Sequence, residues 1–218
     1  MLSKKSILGS FIVMAMLAGC SSTPAASTGA SDASGSDFDS SNDITVISRE
    51  SGSGTRGAFI ELTGVEEKQG DQKVDMTTDD AQITNSTSVM LTTVAGDDYA
   101  IGYASLGSLD DTTKALKVDG VEPSVDTIKD GSYKISRPFN IATKDDVSEA
   151  AQDFINYIMS ADGQKVVEDN GYIAVSENAA FKSNGAKGKI VVAGSSSVTP
   201  VMEKLAEAYQ KVNTGAQV

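Results

Sequence analysis

The chain has 218 residues, enough for one or two domains, and carries 18 Lys and Arg against 30 Asp and Glu, a formal net charge of −12. This acidity favours solubility and excludes the basic footprint of a nucleic-acid-binding protein. The sequence has no histidine, which excludes Ser-His-Asp and Cys-His catalysis. We predict no enzyme, no metal site and no cofactor, since the paired aspartates fall at predicted loops and helix starts.

Residues 1–19 have the form of a signal peptide. Two lysines precede an apolar run over 7–18, which is too short to span a bilayer comfortably. The run leads into a Leu-Ala-Gly-Cys tetrad that ends at Cys20 and resembles the lipobox of bacterial lipoproteins. Cys20 is the single cysteine of the chain. We therefore predict that Cys20 is lipidated and anchors the protein at the extracytoplasmic face of the cell membrane; the alternative is a plain secretion signal.

The segment that begins with the lipidated cysteine, residues 20–42, consists almost entirely of Ser, Ala, Gly, Asp and Thr. Such residues cannot bury enough apolar surface to fold, so this segment is predicted to be a disordered tether.

Beyond the tether, hydrophobic patterns alternate between strands and helices. In the first half we predict a strand at 44–48, a helix at 55–63 ended by Gly64, an irregular polar segment at 66–80, a helix at 86–94 capped by Ser86 and ended by Gly96, and a strand at 99–104. In the second half we predict a strand at 115–118, a helix at 124–130, an extended segment at 133–143, two helices between 147 and 169, a strand at 190–193 and a last helix after Pro200. This alternation predicts an α/β fold with a largely parallel sheet.

Two turns rich in glycine and serine each follow a strand and open a helix. The first runs from Arg49 to Thr55 and the second from Gly194 to Ser197. The free N–H groups of a helix N-terminus, with hydroxyls beside them, bind anions, and the planar fork of Arg49 suits a tetrahedral oxyanion. The alternative is a surface arginine at the first turn and serines that only cap a helix at the second. Arg56 and Arg137 are predicted to be solvated or paired outside the site.

Several segments resemble one family. Residues 48–59 resemble the domain-crossing loop of the PstS family, the phosphate-binding lipoproteins of ABC transporters; 99–107, 116–121, 136–139 and 154–167 fit the same family, and 188–200 resembles the start of its mature domain. The resemblance implies a periplasmic-binding-protein type II-like α/β fold. Its two lobes, with mixed sheets, close on one phosphate ion, which passes unaltered to the permease of an ABC importer.

The resemblance also implies domains and site residues. Residues 43–134 would be a lobe II-like α/β region, 135–180 the C-terminal part of lobe I, 181–188 a linker and 189–218 the N-terminal strand, turn and helix of an incomplete lobe I. The phosphate-binding residues carried over from the family are Arg49, Ser53, Gly54 and Thr55 from one lobe and Ser196 and Ser197 from the other, with Gly194 and Ser195 shaping the second turn.

The order of the two turns departs from the family, in which the serine turn comes first. Two further family site loops, one with a serine and one with an aspartate that accepts a phosphate proton, have no counterpart. Three explanations fit this order: a truncated permutant, an internal deletion and a gene-model artefact. Residues 21–218 alone are expected to bind phosphate weakly or not at all and to self-associate. Another oxyanion such as sulfate is an alternative ligand, and a structural or regulatory surface lipoprotein with a vestigial site is an alternative role.

Overall fold

A computed structural model describes residues 38–175 and 178–218, and the compact unit that these residues form begins at Asp39. The predicted signal peptide, Cys20 and most of the predicted tether lie outside the described residues. Within the described ranges, no helix has the length and apolar character needed to cross a membrane.

The described part of the chain alternates between strands and helices. Its strands are β1 Thr45–Arg49, β2 Glu66–Gln69, β3 Gln72–Asp75, β4 Gln82–Thr84, β5 Ala100–Ile101, β6 Gly188–Lys189 and β7 Ala216–Gln217. Its helices are α1 Gly54–Thr63, α2 Thr87–Ala95, α3 Val125–Lys129, α4 Glu149–Ile158, α5 Ala161–Asp169 and α6 Thr199–Val212, with a 3-10 turn at Leu106–Ser108.

The strand that precedes the first predicted anion turn is the centre of a three-stranded parallel sheet. β1 pairs with β4 on one side, Arg49 opposite Thr84, and with β5 on the other, Thr45 opposite Ala100. The side chain of Ile47, in the middle of β1, is buried. The predicted parallel sheet is therefore present, and its carboxyl edge lies where Arg49 ends β1.

The predicted ends of the first two long helices are confirmed. The hydroxyl of Ser53 accepts from the N–H of Arg56 at the start of α1, and Gly64 ends that helix with a φ of 75° that favours glycine. Ser86 caps α2 by accepting from the N–H of Val89, and Gly96 follows its last turn. Both helices thus begin directly beyond the carboxyl ends of β1 and β4.

The prediction of an irregular segment at 66–80 is wrong, because β2 and β3 form an antiparallel hairpin there. Their side chains are mostly exposed and polar, so no alternation of apolar residues marked these strands. The turn, Gly70-Asp71, has a φ of 65° at Gly70. A glycine at the first position of a two-residue turn is a hairpin signal in its own right.

Other predicted strands are shorter than expected or absent. The strand at 99–104 is reduced to β5, and residues 115–118 contribute only an isolated bridge between Val118 and Val121 around a turn. The segment 133–143 contains no strand, and the strand expected at 190–193 lies instead at Gly188–Lys189, across the boundary between the predicted linker 181–188 and the segment 189–218. Most side chains of 115–118, 133–143 and 190–193 are exposed and those of 99–104 are mostly half-buried, so the apolar residues of these stretches did not mark buried strands.

The second half of the chain packs three helices around one apolar core. α4, α6 and the segments that flank the helices contribute the buried side chains of Ala150, Phe154, Tyr157, Ile158, Tyr172, Ile190, Val201, Leu205 and Tyr209, and α5 packs its partly buried Val166 and Val167 against them. β6 and β7 pair in parallel on either side of α6, so this segment is a β-α-β unit. The last helix, α6, is therefore built into the same core as α4 and α5, the two helices that precede it in the chain.

A buried carboxylate ties these helices together. Asp153 on α4 accepts hydrogen bonds from the Tyr209 hydroxyl at 2.9 Å, the Asn213 amide at 3.0 Å, the Ser183 hydroxyl at 2.8 Å and the Asn184 N–H at 3.0 Å. Burial acts to raise the pKa of Asp153, but these donors outweigh it and hold that pKa below its ordinary value. Burial and the hydrogen bond to this carboxylate raise the pKa of Tyr209 to about 12.

Candidate anion-binding site

The site lies at the carboxyl edge of the parallel sheet. Arg49 is the last residue of β1 and Thr84 the last of β4. Two hydrogen bonds join these ends: the Glu50 N–H donates to the Thr84 carbonyl at 3.0 Å, and the Thr84 hydroxyl donates to the Ser48 carbonyl at 3.0 Å. Ligands of α/β proteins bind at this edge of a sheet, where the helices that follow the strands begin.

The guanidinium of Arg49 is 1% exposed and every part of its fork has a partner. Its Nε and Nη2 donate to the two carboxylate oxygens of Glu50 at 2.8 and 2.9 Å. Its Nη1 donates to the hydroxyl of Thr87 at 3.3 Å, and Nη2 also donates to the hydroxyl of Ser196 at 2.9 Å. The hydrogen bonds from Arg49 hold the pKa of the Glu50 carboxyl below its ordinary value. The carboxylate of Glu50 therefore balances the charge at one edge of the guanidinium, and the other edge faces the hydroxyls of Thr87 and Ser196.

The serine turn supplies the opposite side of the site. The Ser197 hydroxyl, which is buried, shares a short hydrogen bond with the hydroxyl of Thr55 in the first turn of α1. Ser196 lies 3.2 Å from the Thr87 hydroxyl, oxygen to oxygen. The side chain of Ser195 borders Gly54, where an added Cβ would lie 3.6 Å from the Ser195 Cβ. Two segments more than a hundred residues apart thus meet around one cluster of hydroxyls.

Most residues predicted for the site are brought together. The structure joins Arg49, Thr55, Ser196 and Ser197 in one hydrogen-bonded cluster and places Gly54 at its border. The predicted side-chain donor Ser53 is adjacent, but its hydroxyl accepts from the Arg56 N–H at 3.3 Å as a helix cap.

The two arginines that were left out of the site lie in other ion pairs. Arg56 pairs with Asp75 at 2.7 Å and donates to the carbonyl of Arg49 at 2.7 Å, while Arg137 pairs with Glu61. The prediction left solvated and paired states open, and both arginines are paired.

Sequence reasoning missed three residues of the cluster. Glu50 holds one edge of Arg49 and Thr87 the other. The Tyr103 hydroxyl lies 2.8 Å from that of Ser48 and accepts from the N–H of Arg49 at 3.1 Å, while its ring stacks on Phe59 at 4.1 Å. For Thr87 a signal existed, since it follows a strand and opens a helix as the other two turns do.

The arrangement is suited to a small anion rather than to a metal ion. It combines a buried guanidinium, four hydroxyls and the N-termini of α1 and α2, whose first N–H groups have no partner within the helix. Among the residues that the structure describes, no group of three or more Asp, Glu, Cys or His side chains could hold a metal ion.

Comparison with known proteins identifies relatives over most of the chain. A family model described as a PBP superfamily domain matches residues 31–162. The chain is 56% identical over 205 residues to the phosphate-binding protein PstS 2 of Streptococcus agalactiae, a match that covers 93% of this chain and 66% of the relative. It is 53% identical over 174 residues to PstS 2 of Streptococcus pneumoniae, covering 79% of this chain and 60% of the relative. The chain therefore spans less than two thirds of the length of these relatives.

Solved structures give the same neighbours. A phosphate-binding protein of a phosphate ABC transporter from S. pneumoniae is similar with a TM-score of 0.67 and 51% identity, over 81% of this chain and 69% of that one. A putative phosphate ABC transporter substrate-binding protein from Clostridium perfringens, solved with bound phosphate, is similar with a TM-score of 0.54 and 38% identity, over 61% and 52% of the two chains.

The alignment with the S. agalactiae protein also concerns the order of the two turns. It covers 93% of this chain, so it spans both the Arg49 turn and the serine turn. An alignment preserves order, so the segments of the relative that align with the two turns stand in the same succession as in this chain. These matches confirm the resemblance to the PstS family. Because the family model covers more than half of this chain, the chain belongs to the PBP superfamily.

Proposed function

We propose that this protein is an extracytoplasmic solute-binding protein that captures inorganic phosphate and delivers it, chemically unaltered, to the permease of an ABC importer. The observation that carries the proposal is the buried guanidinium of Arg49, which directs Nη1 and Nη2 at the hydroxyls of Thr87 and Ser196. An oxyanion that replaced the Ser196 hydroxyl at Nη2 and took the second N–H of Nη1 would receive charge-assisted hydrogen bonds in a water-poor site. The names of the relatives, phosphate-binding proteins, support the same ligand.

Phosphate near neutral pH carries a proton, so its site needs a hydrogen-bond acceptor as well as donors. Hydroxyls both donate and accept, and Thr55, Ser196 and Ser197 supply three of them. The ionised carboxylate of Glu50 lies at the edge of the same cluster. Sulfate is fully ionised and would leave these acceptors without a donor, which favours phosphate over sulfate.

We further propose two lobes, 43–134 on one side and 135–180 with 189–218 on the other, joined in part by the linker 181–188. The shared core of α4, α5 and α6 supports the grouping of the last segment with 135–180. We also propose that Cys20 carries the lipid that holds the protein at the membrane, with 20–42 as its tether.

Isothermal titration of the purified protein with phosphate tests the ligand, with sulfate as the competitor. A saturable heat that sulfate does not suppress, and that is reduced by Arg49→Ala, supports the proposal even where the affinity is modest. Saturation by sulfate in preference to phosphate would reassign the ligand. The absence of any saturable heat with either ion would favour the alternative role, a surface lipoprotein with a vestigial site.

A further inference from the structure

Thr87 links the two sides of the anion-binding cluster. It is the first residue of α2 and is 6% exposed. Its Oγ1 lies 3.3 Å from Nη1 of Arg49, 3.2 Å from Oγ of Ser196 and 3.4 Å from Oγ of Ser197. One hydroxyl thus touches the cation at the end of β1 and both site serines of the turn before α6.

This hydroxyl is not needed to cap its own helix. The cap of α2 is Ser86, whose hydroxyl accepts from the N–H of Val89 at 3.2 Å. A threonine side chain in the first turn of a helix has restricted rotation about χ1, so α2 fixes the direction of the Thr87 hydroxyl. The polar atom of this buried side chain is therefore committed to the site rather than to local structure.

We propose that Thr87 is a positioning residue for oxyanion binding, an inference that rests on the proposed function. Glu50 holds Arg49 by Nε and one side of Nη2, and Thr87 holds the opposite end of the fork at Nη1. The two contacts together fix the plane of the guanidinium. Ser196 and Ser197, which share the Thr87 hydroxyl, are held facing that plane. Removal of the hydroxyl frees the fork to turn and the serines to reorient, which weakens ligand binding without removing any ligand-binding charge.

The test compares substitutions of nearly equal size. Thr87→Val keeps the shape and removes the hydroxyl, Thr87→Ser keeps the hydroxyl, and Thr93→Val is the matched control. Thr93 lies six residues further along α2, and its hydroxyl donates to the Val89 carbonyl within the helix. Titration with phosphate is expected to show binding weakened about tenfold by Thr87→Val, because Arg49 loses the hydrogen bond that orients its fork and its charge-assisted contacts with the ion weaken. Binding by the serine variant and the control is expected to stay within about threefold of the parent.

A double-mutant cycle separates positioning from a general loss of structure. If Thr87 acts through Arg49, then Thr87→Val should weaken binding far less in an Arg49→Lys protein than in the parent. Thermal unfolding of each variant reports on the fold, and should the valine variant unfold, Thr87→Ala carries the same expectation.

The results can contradict the inference in distinguishable ways. Equal phosphate affinities for the parent and a folded Thr87→Val protein would overturn the role of Thr87 and leave the proposed function standing. A serine variant as weak as the valine variant would do the same, because the hydroxyl would not then be the group that matters. A parent protein that binds no phosphate would overturn the proposed function, and the role of Thr87 with it.

Discussion

Replacement of Arg49 by alanine should weaken phosphate binding about ten- to a hundredfold. Of the four hydrogen bonds that its fork makes, two go to Glu50 and are unaffected by the ligand, while the other two go to Thr87 and Ser196. Phosphate would replace the neutral Ser196 hydroxyl at Nη2 and take the second N–H of Nη1, while the Thr87 contact stays in place. The net loss on deletion corresponds to about one charge-assisted hydrogen bond, about 1.5–3 kcal/mol, which is about ten- to a hundredfold in the dissociation constant.

Arg56→Ala is the matched control, because it removes an arginine seven residues away that contacts Asp75 and the backbone carbonyl of Arg49. A partly exposed ion pair of this kind contributes about 0–1 kcal/mol, so its loss should change the affinity by less than about fivefold. Titration calorimetry at matched protein stability measures both variants. Equal losses from the two substitutions would show that overall positive charge, rather than the fork of Arg49, binds the ion.

Three further outcomes are expected elsewhere in the chain. Cys20→Ala should abolish incorporation of a labelled fatty acid, and unchanged labelling would exclude Cys20 as the anchor. Asp153→Asn should lower the free energy of unfolding by about 1–3 kcal/mol at pH 7. Because folding lowers the pKa of Asp153, the extra stability of the parent protein is present at pH values above 3.8, the pKa of an unperturbed aspartate. In denaturant titrations this difference in stability between parent and variant should shrink as the pH falls below 3.8. Gly163→Ala would place a Cβ 2.1 Å from the Tyr157 carbonyl oxygen and should destabilise by about 1–3 kcal/mol, whereas Gly57→Ala, with open space around it, should stabilise helix α1 by about 0.5–1 kcal/mol in the same thermal assay.

The helices could be predicted from the sequence because their signals are local. Ser86 caps the helix that it was expected to cap and Gly64 ends the first one, while Ser53, predicted as a phosphate donor, also caps a helix. The strands were less predictable, since a strand is defined by its neighbours. Val191 and Val192 have the composition of a buried strand, yet Val191 is 81% exposed and the pairing lies two residues earlier, at Gly188–Lys189.

The chemistry of the site could likewise be predicted only in part. Arg49 and the serines stood out because a turn of small residues with an arginine has few structural reasons to exist. Glu50 and Thr87 did not, because their roles depend on tertiary geometry. The Glu50 carboxylate accepts from the side chain of Arg49, the residue before it, and the Thr87 hydroxyl contacts Ser196 and Ser197, which are 109 and 110 positions away in the chain.

The serine turn owes its place to packing rather than to its position in the sequence. Its helix, α6, is anchored by Leu205 and Tyr209, which are 2% and 0% exposed, against helices that come 40 to 60 residues earlier. The Tyr172 hydroxyl, from the segment after α5, donates to the carbonyl of Ser197 at 3.1 Å and fixes the turn itself. These contacts are made by side chains on the facing surfaces, and they hold the turn beside Arg49 although the two lie more than a hundred residues apart in the chain.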